Sequence, residues 1–474
     1  MSDAPGVEVT SSLATLTVGL PNPWPHDPVP DIRARLLDSG ERLVAFDDDP
    51  TGSQAVYDVP LLTEWDESLL EATLSEAPVA FVLTNTRSLE QHRAEERLEQ
   101  AANHAASVAR RLGHPLRVLS RSDSTLRGHF PAEIDALRRG LGQPADLILL
   151  TPAFMQGRRV TVGDVHWVRN GDELTPVSAT EFAQDPAFGF STSRLPAWVE
   201  EKSRGRISAE SCVSLGLSLV REGGPDAVAA ELEKVDDGRV VISNALDERD
   251  VEVIAAGAQL VELQGRAVRH RCGASMVRAR AGLAVRPLLT GDAVRSGSAG
   301  PGLIVCGSHV PMSTAQLEAL NARDDVEGVE IDVPSLVSDP GLAETLAADA
   351  AREVDRILDG GRNAALSTSR ALNLGNRSPL EVAQLVSDTV VRAVQAIRAR
   401  PAFVVGKGGI TSHDVATRAL GIREAVVLGQ IAPGVSVWRA REATRPGVPY
   451  LVFPGNVGDE QTLADVVGRL TAAQ

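Results

Sequence analysis

Leu43-Val44-Ala45-Phe46-Asp47-Asp48-Asp49-Pro50-Thr51-Gly52-Ser53-Gln54 is an apolar run that ends in three carboxylates. The run at 43–46 predicts a buried strand, after which Pro50 and Gly52 force a turn that carries two hydroxyls. In open α/β sheets, ligands sit in the crevice outside the carboxyl ends of the strands, so a polar site belongs here. Adjacent carboxylates repel, and their pKa values shift unless a cation, a base or a substrate hydroxyl is near. An Asp-rich turn also serves as a helix cap, and the local sequence leaves both readings open.

Outward from this stretch, short apolar runs alternate with longer amphipathic ones. Strands are predicted at 43–46, 79–83, 116–120 and 146–150. Between them, 90–112 carries Leu98, Ala101, Ala105, Val108 and Leu112 at helical spacings of three and four. Residues 155–215 break the rhythm, being rich in Gly, Ser, Thr and Asp and reading as loop. A strand at 239–242 and a helical segment near 248–284 resume it. The Gly/Ser-rich stretch 290–302 reads as a linker. Beyond it, strands at 303–306, 363–367, 402–405, 425–428 and 450–453 alternate with helices near 341–358 and 379–399. Such alternation predicts mostly parallel or mixed sheets. The expected class is therefore α/β with two α/β domains, an N-terminal one over 31–290 and a C-terminal one over 300–474. Residues 1–30, rich in Ser, Thr and Pro, read as an arm that is disordered or wraps along the surface.

Composition narrows the function. The 474 residues suffice for two or three domains at ~150 residues each. The formal net charge of −16, with no Lys/Arg-rich run to offset it, disfavours nucleic acid as a partner. A few arginines can still make a local pocket for an anion. The three cysteines lie far apart, without CxxC or zinc spacing, and read as reduced thiols of a cytoplasmic protein. No secretory signal and no apolar run near the ~20 residues of a membrane span is expected.

Two further clusters follow strands of the first half. Arg121-Ser122-Asp123-Ser124-Thr125-Leu126-Arg127-Gly128-His129 combines two arginines, an aspartate and hydroxyls. Arg pairs its fork with a carboxylate and Asp accepts from sugar hydroxyls, which suits a small polyhydroxylated anion. Gln156 to His166 adds Arg158 as an anion ligand and His166 as a hydrogen-bonding or acid/base group, although a lone His is more often structural. In the second half, Gly406-Lys407-Gly408-Gly409-Ile410-Thr411-Ser412 follows a strand and opens a helix, where backbone N–H groups favour phosphate. It has neither Walker A nor GxGxxG spacing. Gly307-Ser308-His309 and Pro454-Gly455-Asn456-Val457-Gly458-Asp459 are small-residue turns at two other strand ends. A polar, Arg/Asp-bearing site in one domain and a phosphate-friendly site in the other suit phosphoryl transfer across a cleft.

These motifs resemble the four-carbon acid sugar kinases. Asp48-Asp49-Pro50-Thr51-Gly52 is similar to the family's Asp-Asp-x-Thr-Gly motif, Asp123 to Gly128 matches Asp-Ser-Thr-Leu-Arg-Gly, and Gly157-Arg158-Arg159-Val160-Thr161 resembles Gly-Arg-x-Thr. In the second half Gly307-Ser308, Gly408-Gly409-Ile410-Thr411-Ser412 and Gly455-Asn456-Val457-Gly458 follow in the family's order. The resemblance implies ATP and Mg²⁺, with no dedicated protein metal site. It assigns the acid sugar's carboxylate to Arg127 and Arg158 and its hydroxyls to Asp48, Asp123, Ser124 and Thr125. Asp49, Thr51 and His166 join the substrate site, and Asp48 or Asp123 serves as base or positioner. Ser308, Lys407, Gly408, Gly409, Ile410, Thr411, Gly455, Asn456 and Gly458 would hold the nucleotide. Phe453-Pro454 stands where the family has Lys-Ser, and Lys407 is the expected replacement. The insert through 180–202 points to a divergent subgroup. A non-catalytic sugar-acid sensor and an NAD-dependent sugar-acid dehydrogenase are the competing classes. The sequence does not fix the oligomeric state, and a homodimer is one state it allows.

Overall fold

The computed structural model describes residues 10–143, 147–295, 300–370 and 377–472. Two compact units divide the chain: residues 1–56 with 64–285, and residues 57–63 with 286–474. Residues 1–9 of the proposed arm and residue 146 of the expected 146–150 strand lie outside the described residues.

The first unit is built on a parallel sheet. Its strands run in the order Val213–Leu215, Arg239–Ser243, Leu147–Thr151, Val268–Cys272, Leu116–Arg121, Arg42–Asp47, Val79–Leu83. Near-continuous burial along Arg42–Asp47 and Val79–Leu83 explains their apolar runs, since helices cover both faces of such sheets. From Arg42–Asp47 the chain steps to Val79–Leu83 on one side and then to Leu116–Arg121 on the other. The strand order thus reverses beside the Asp47–Asp49 carboxylates. The register pairs Asp47 with Arg121 and Arg121 with Cys272, so the polar residues that follow these strands emerge at one level.

The helix Gln91–Leu112 buries Ala94, Leu98, Ala101, Ala105 and Val108 and stops at Gly113 in the left-handed region (φ 72°), as its spacing predicts. The segment 248–284 is instead two helices, Glu248–Leu263 and Ala274–Arg280, separated by the strand Val268–Cys272. That strand reads Val-Arg-His-Arg-Cys and looks exposed in sequence. It is buried because its charges are paired: His270 Nε2 lies 3.0 Å from Glu262 and Arg271 Nη1 lies 2.9 Å from Glu133. Residues 155–215 are not all loop. Arg159–Val162, Val165–Asn170 and Glu173–Pro176 form an antiparallel sheet completed by Ser11–Ser12. Leu13, Leu16 and Leu20 pack on its Trp167 and Leu174, so residues 10–30 wrap on this unit.

The second unit has strands in the order Val59–Leu62, Glu424–Ala432, Val435–Glu442, Pro449–Phe453, Val404–Lys407, Leu303–Cys306, Asn363–Thr368, Val326–Ile331. The last five are parallel and the first three antiparallel, a mixed sheet. Leu303–Cys306 and Val404–Lys407 flank its reversal of strand order, again the place for a ligand. Among the described residues no helix is long and apolar enough to cross a membrane.

Helices Leu217–Glu233 and Glu248–Leu263 approach closely at Gly257. A Cβ there would lie 2.5 Å from Val228 Cγ1 and 2.9 Å from the Pro225 carbonyl, and the latter is backbone that cannot yield. Gly257→Ala is expected to lose about 1–3 kcal/mol of stability by overpacking. A thermal melt checks it, with a Tm several degrees below wild type as the expected outcome.

Candidate functional site

Because the strands Arg42–Asp47 and Leu116–Arg121 are neighbours in register, the residues after them share one crevice. Asp48 N–H donates to Arg121 O (3.2 Å), and Arg87 N–H donates to Asp48 O (3.2 Å). Arg87 stands on the short turn Thr86–Ser88 after Val79–Leu83. Its guanidinium collects three carboxylates: Asp49, Asp48 Oδ1 at 3.9 Å and Asp123 Oδ1 at 3.6 Å. Arg121 Nη1 meets Asp47 Oδ1 at 2.9 Å and Asp48 Oδ1 at 3.4 Å. Asp123 Oδ2 accepts from Arg127 Nε (2.7 Å) and from the Thr125 hydroxyl, while Asp49 Oδ1 accepts Thr51 N–H (2.8 Å) and the Thr51 hydroxyl. Gly52 is needed because a Cβ there would overlap the Asp47 carboxylate. The structure thus brings Asp48, Asp49, Thr51, Asp123, Thr125 and Arg127 together.

The carboxylates differ in charge state. Burial pushes the Asp48 carboxyl up to about 7, although Arg87 and Arg121 oppose it. Burial also raises Asp47, to about 6, against Arg121. Asp123 is raised by burial too, but Arg87 and Arg127 outweigh that and hold it well below the usual carboxylate range. Asp49 is likewise kept low by Arg87 and Thr51 against its burial. Asp48 Oδ2 is buried and makes no hydrogen bond among the described residues. One carboxyl near neutrality beside a permanently ionised one is the arrangement that separates a proton acceptor from an anchor.

Two residues of the expected site, Arg158 and His166, stand apart from this cluster. Arg158 is exposed, on a left-handed backbone (φ 61°), whereas its neighbour Arg159 is partly buried, over the Phe182 ring (5.7 Å) and within the field of Asp123. The Gly-Arg-Arg run alone does not tell them apart. His166 is fully buried and faces no open site. Its Nε2–H donates to Ser124 O (2.7 Å), so Nδ1 accepts from the Thr161 hydroxyl (2.9 Å). Burial lowers its pKa to about 4, so it is neutral and fixes the Ser124 loop. Sequence reading missed Arg87, Glu133 and Arg271. Arg271 bridges Glu133 (2.9 Å) to the Arg127 carbonyl (3.3 Å), and the polar Thr84-Asn85-Thr86-Arg87 run directly after a strand was the available signal for Arg87.

In the second unit Cys306, Lys407 and Phe453 are paired across three strands, so Gly307-Ser308, Gly408-Gly409 and Pro454-Gly455 emerge side by side. Gly408 has φ 105°, and a Cβ on it would lie 2.8 Å from Ser308 Cβ. Ser313 joins the turns by bonding Ser308 Oγ and Gly455 O, each at 3.0 Å. A cavity of about 330 Å³ opens here. Ser308, Gly408, Gly409, Ile410 and Thr411 line one side, and Val382, Val386 and Val390 of the helix Pro379–Ala396 line the other. Lys407 is buried beneath, its Nζ donating to Pro454 O (2.7 Å) and Gly455 O (2.9 Å), and burial brings its pKa down to about 8. Asn456 and Gly458 are exposed on the following turn.

Comparison with known proteins follows the same division. Residues 43–280 match the sugar-binding N-terminal domain family, and residues 303–463 match the nucleotide-binding C-terminal domain family. The chain is 26% identical over 364 residues to the D-threonate kinase of Salmonella typhimurium, covering 74% of this chain and 79% of that protein. It is 27% identical over 419 residues to the D-threonate kinase of Bordetella bronchiseptica, covering 84% and 87%. A D-erythronate kinase of Heliobacterium modesticaldum is 30% identical over 165 residues, 34% of this chain and 35% of that protein. A Salmonella typhimurium crystal structure assigned as a tRNA synthase superposes with a TM-score of 0.65 at 18% identity, covering 90% of this chain and 98% of that one. That likeness is one of fold.

The raised Asp48 pKa carries a stability consequence. Its folded pKa lies above the ordinary 3.8, so folding becomes less favourable as pH rises between the two values. Asp48→Asn removes the buried charge while Arg87 keeps Asp49 and Asp123. Its Tm is expected to exceed wild type at pH 8, with the gap narrowing at pH 5, in thermal melts at both values.

Proposed function

The chain belongs to the four-carbon acid sugar kinase family, and from that premise we propose that it is an ATP-dependent kinase phosphorylating a four-carbon acid sugar on a hydroxyl. The acceptor is of the threonate, erythronate or 3-oxo-tetronate type. One observation carries the reading: each unit has its cluster where the strand order reverses, one charged with Arg and Asp, the other apolar with glycine turns.

In the first unit, Arg127 receives the acid's carboxylate, and Arg159 takes the place expected for Arg158. Ser124, Thr125, Asp49 and Thr51 contact its hydroxyls. Asp123, held ionised, anchors and orients the attacking hydroxyl. Asp48 accepts its proton, since a general base works best with a pKa near the operating pH. His166 acts through Ser124 as a positioning residue.

In the second unit, the nucleotide base lies against Val382, Val386 and Val390. Its phosphates lie along Ser308, Gly408, Gly409, Ile410 and Thr411, close to the Gly455-Asn456-Val457-Gly458 turn. Lys407 serves by holding Pro454 and Gly455 rather than by offering its ammonium, both of whose observed bonds go to carbonyls. Among the described residues no three His, Cys, Asp or Glu side chains are grouped to hold a metal. We propose that Mg²⁺ would arrive with the nucleotide's phosphates and would supply neutralisation of the charge that develops on the transferred group. Alignment and charge stabilisation supply the remaining catalysis.

Coupled measurement of ATP consumption with Mg²⁺ across D- and L-threonate, D- and L-erythronate and their oxidised forms tests the reading. Turnover of at least one is expected, and kcat/KM should rise with pH through about 7 as Asp48 loses its proton. Asp48→Asn should lower kcat by roughly 10²–10⁴. Silence across the panel while ATP binds would contradict the reading.

A further inference from the structure

The turn at 183–190 stands beside Arg127 and is held by burial and by its own hydrogen bonds. Ala183, Phe188 and Phe190 are buried, and Phe188 packs edge-on against His129 at 4.9 Å. His129 in turn bonds Leu89 O at 3.0 Å through Nε2. Gly189 closes the turn, because a Cβ there would lie 2.9 Å from the carbonyls of both Ala183 and Asp185. Within it, Asp185 Oδ1 accepts N–H from Ala187 (2.9 Å) and Phe188 (3.1 Å). Those bonds fix the carboxylate and aim Oδ2 outward, at Arg127 Nη1, 3.6 Å away.

The rest of the Arg127 guanidinium is already engaged. Nε is given to Asp123 at 2.7 Å, and one face lies over the Phe182 ring at 5.1 Å. Phe182 belongs to the same segment and is also covered by Arg159. The Nη edge is the side left for a second carboxylate, and Asp185 stands there at ion-pair distance without closing a hydrogen bond.

We propose that Asp185 is a specificity-determining residue that competes with the acid substrate's carboxylate for Arg127, so that acid affinity is set by a like charge built into the rim of the site. This rests on the acid sugar kinase reading and deepens it. An acid that reaches Arg127 must either share the guanidinium with Asp185 or displace it, and like charges placed side by side lower affinity. A neutral polyol of the same length meets no such repulsion.

The test is calorimetric binding of D- and L-threonate and D- and L-erythronate to the full chain without nucleotide, with threitol and erythritol as neutral probes. Asp185→Asn keeps an Oδ1 acceptor for Ala187 and Phe188 while removing the charge. Asp185→Ser, whose hydroxyl also caps turns, is a second variant should the first not fold. Asp172→Asn, an exposed site elsewhere, controls for net charge. Both Asp185 variants should bind the preferred acid about tenfold more tightly than wild type, with the polyols and the control unchanged. Acid binding that is unchanged or weaker in both variants, with wild type binding normally, would overturn the inference alone. If no acid of the panel binds wild type or variants, the acid-sugar reading falls, and the inference with it.

Discussion

Arg87 holds Asp48, Asp49 and Asp123 around one guanidinium, and the charged crevice of the first unit depends on that interaction. Carboxylates crowded this closely and out of water would otherwise have to take up protons. With Arg87 present, Asp49 and Asp123 stay charged against their burial, while Asp48 is left near neutrality. The cluster is costly to the fold. Asp47 Oδ2 and Asp48 Oδ2 are both buried without a hydrogen bond among the described residues, and that is where the cost lies.

Topology explains why this happens at one place. Parallel strands deliver their C-terminal ends to one edge, and a reversal of strand order opens a crevice between two neighbours. The first unit fills that crevice with Asp and Arg. The second lines it with Gly307, Ser308, Gly408 and Gly409 beside a wall of valines. The two units use the same geometric device with opposite chemistry, and Phe453-Pro454 fits within it. Lys407, one strand over, ties the Pro454 and Gly455 carbonyls and so keeps the third turn in place.

Much of this was legible in the sequence because strand ends are marked by abrupt changes from apolar to polar or glycine. Asp47 to Asp49, Asp123 to Gly128 and Gly408 to Thr411 all announce themselves in that way. The strand Val268–Cys272 did not, since its His270 and Arg271 side chains are buried through pairing with Glu262, on the preceding helix, and with Glu133, which lies far away in sequence. Arg87 follows a strand in a polar run, but its three partners come from other segments, and only the fold brings them together. Arg158 is exposed and Arg159 half-buried, and the left-handed backbone at Arg158 is something no side-chain pattern encodes. His166, expected at the substrate site although a lone His is more often structural, is buried between the Ser124 carbonyl and the Thr161 hydroxyl.

In the proposed function the acid binds in the charged crevice and the nucleotide in the valine-walled cavity. Equilibrium binding of each ligand separately to two full-length variants tests that division most directly. Arg127→Gln should weaken acid binding by roughly tenfold or more while leaving ATP binding intact. Val386→Trp, which fills the cavity, should abolish ATP binding and spare the acid. Loss of ATP binding in Arg127→Gln, or of acid binding in Val386→Trp, would contradict it.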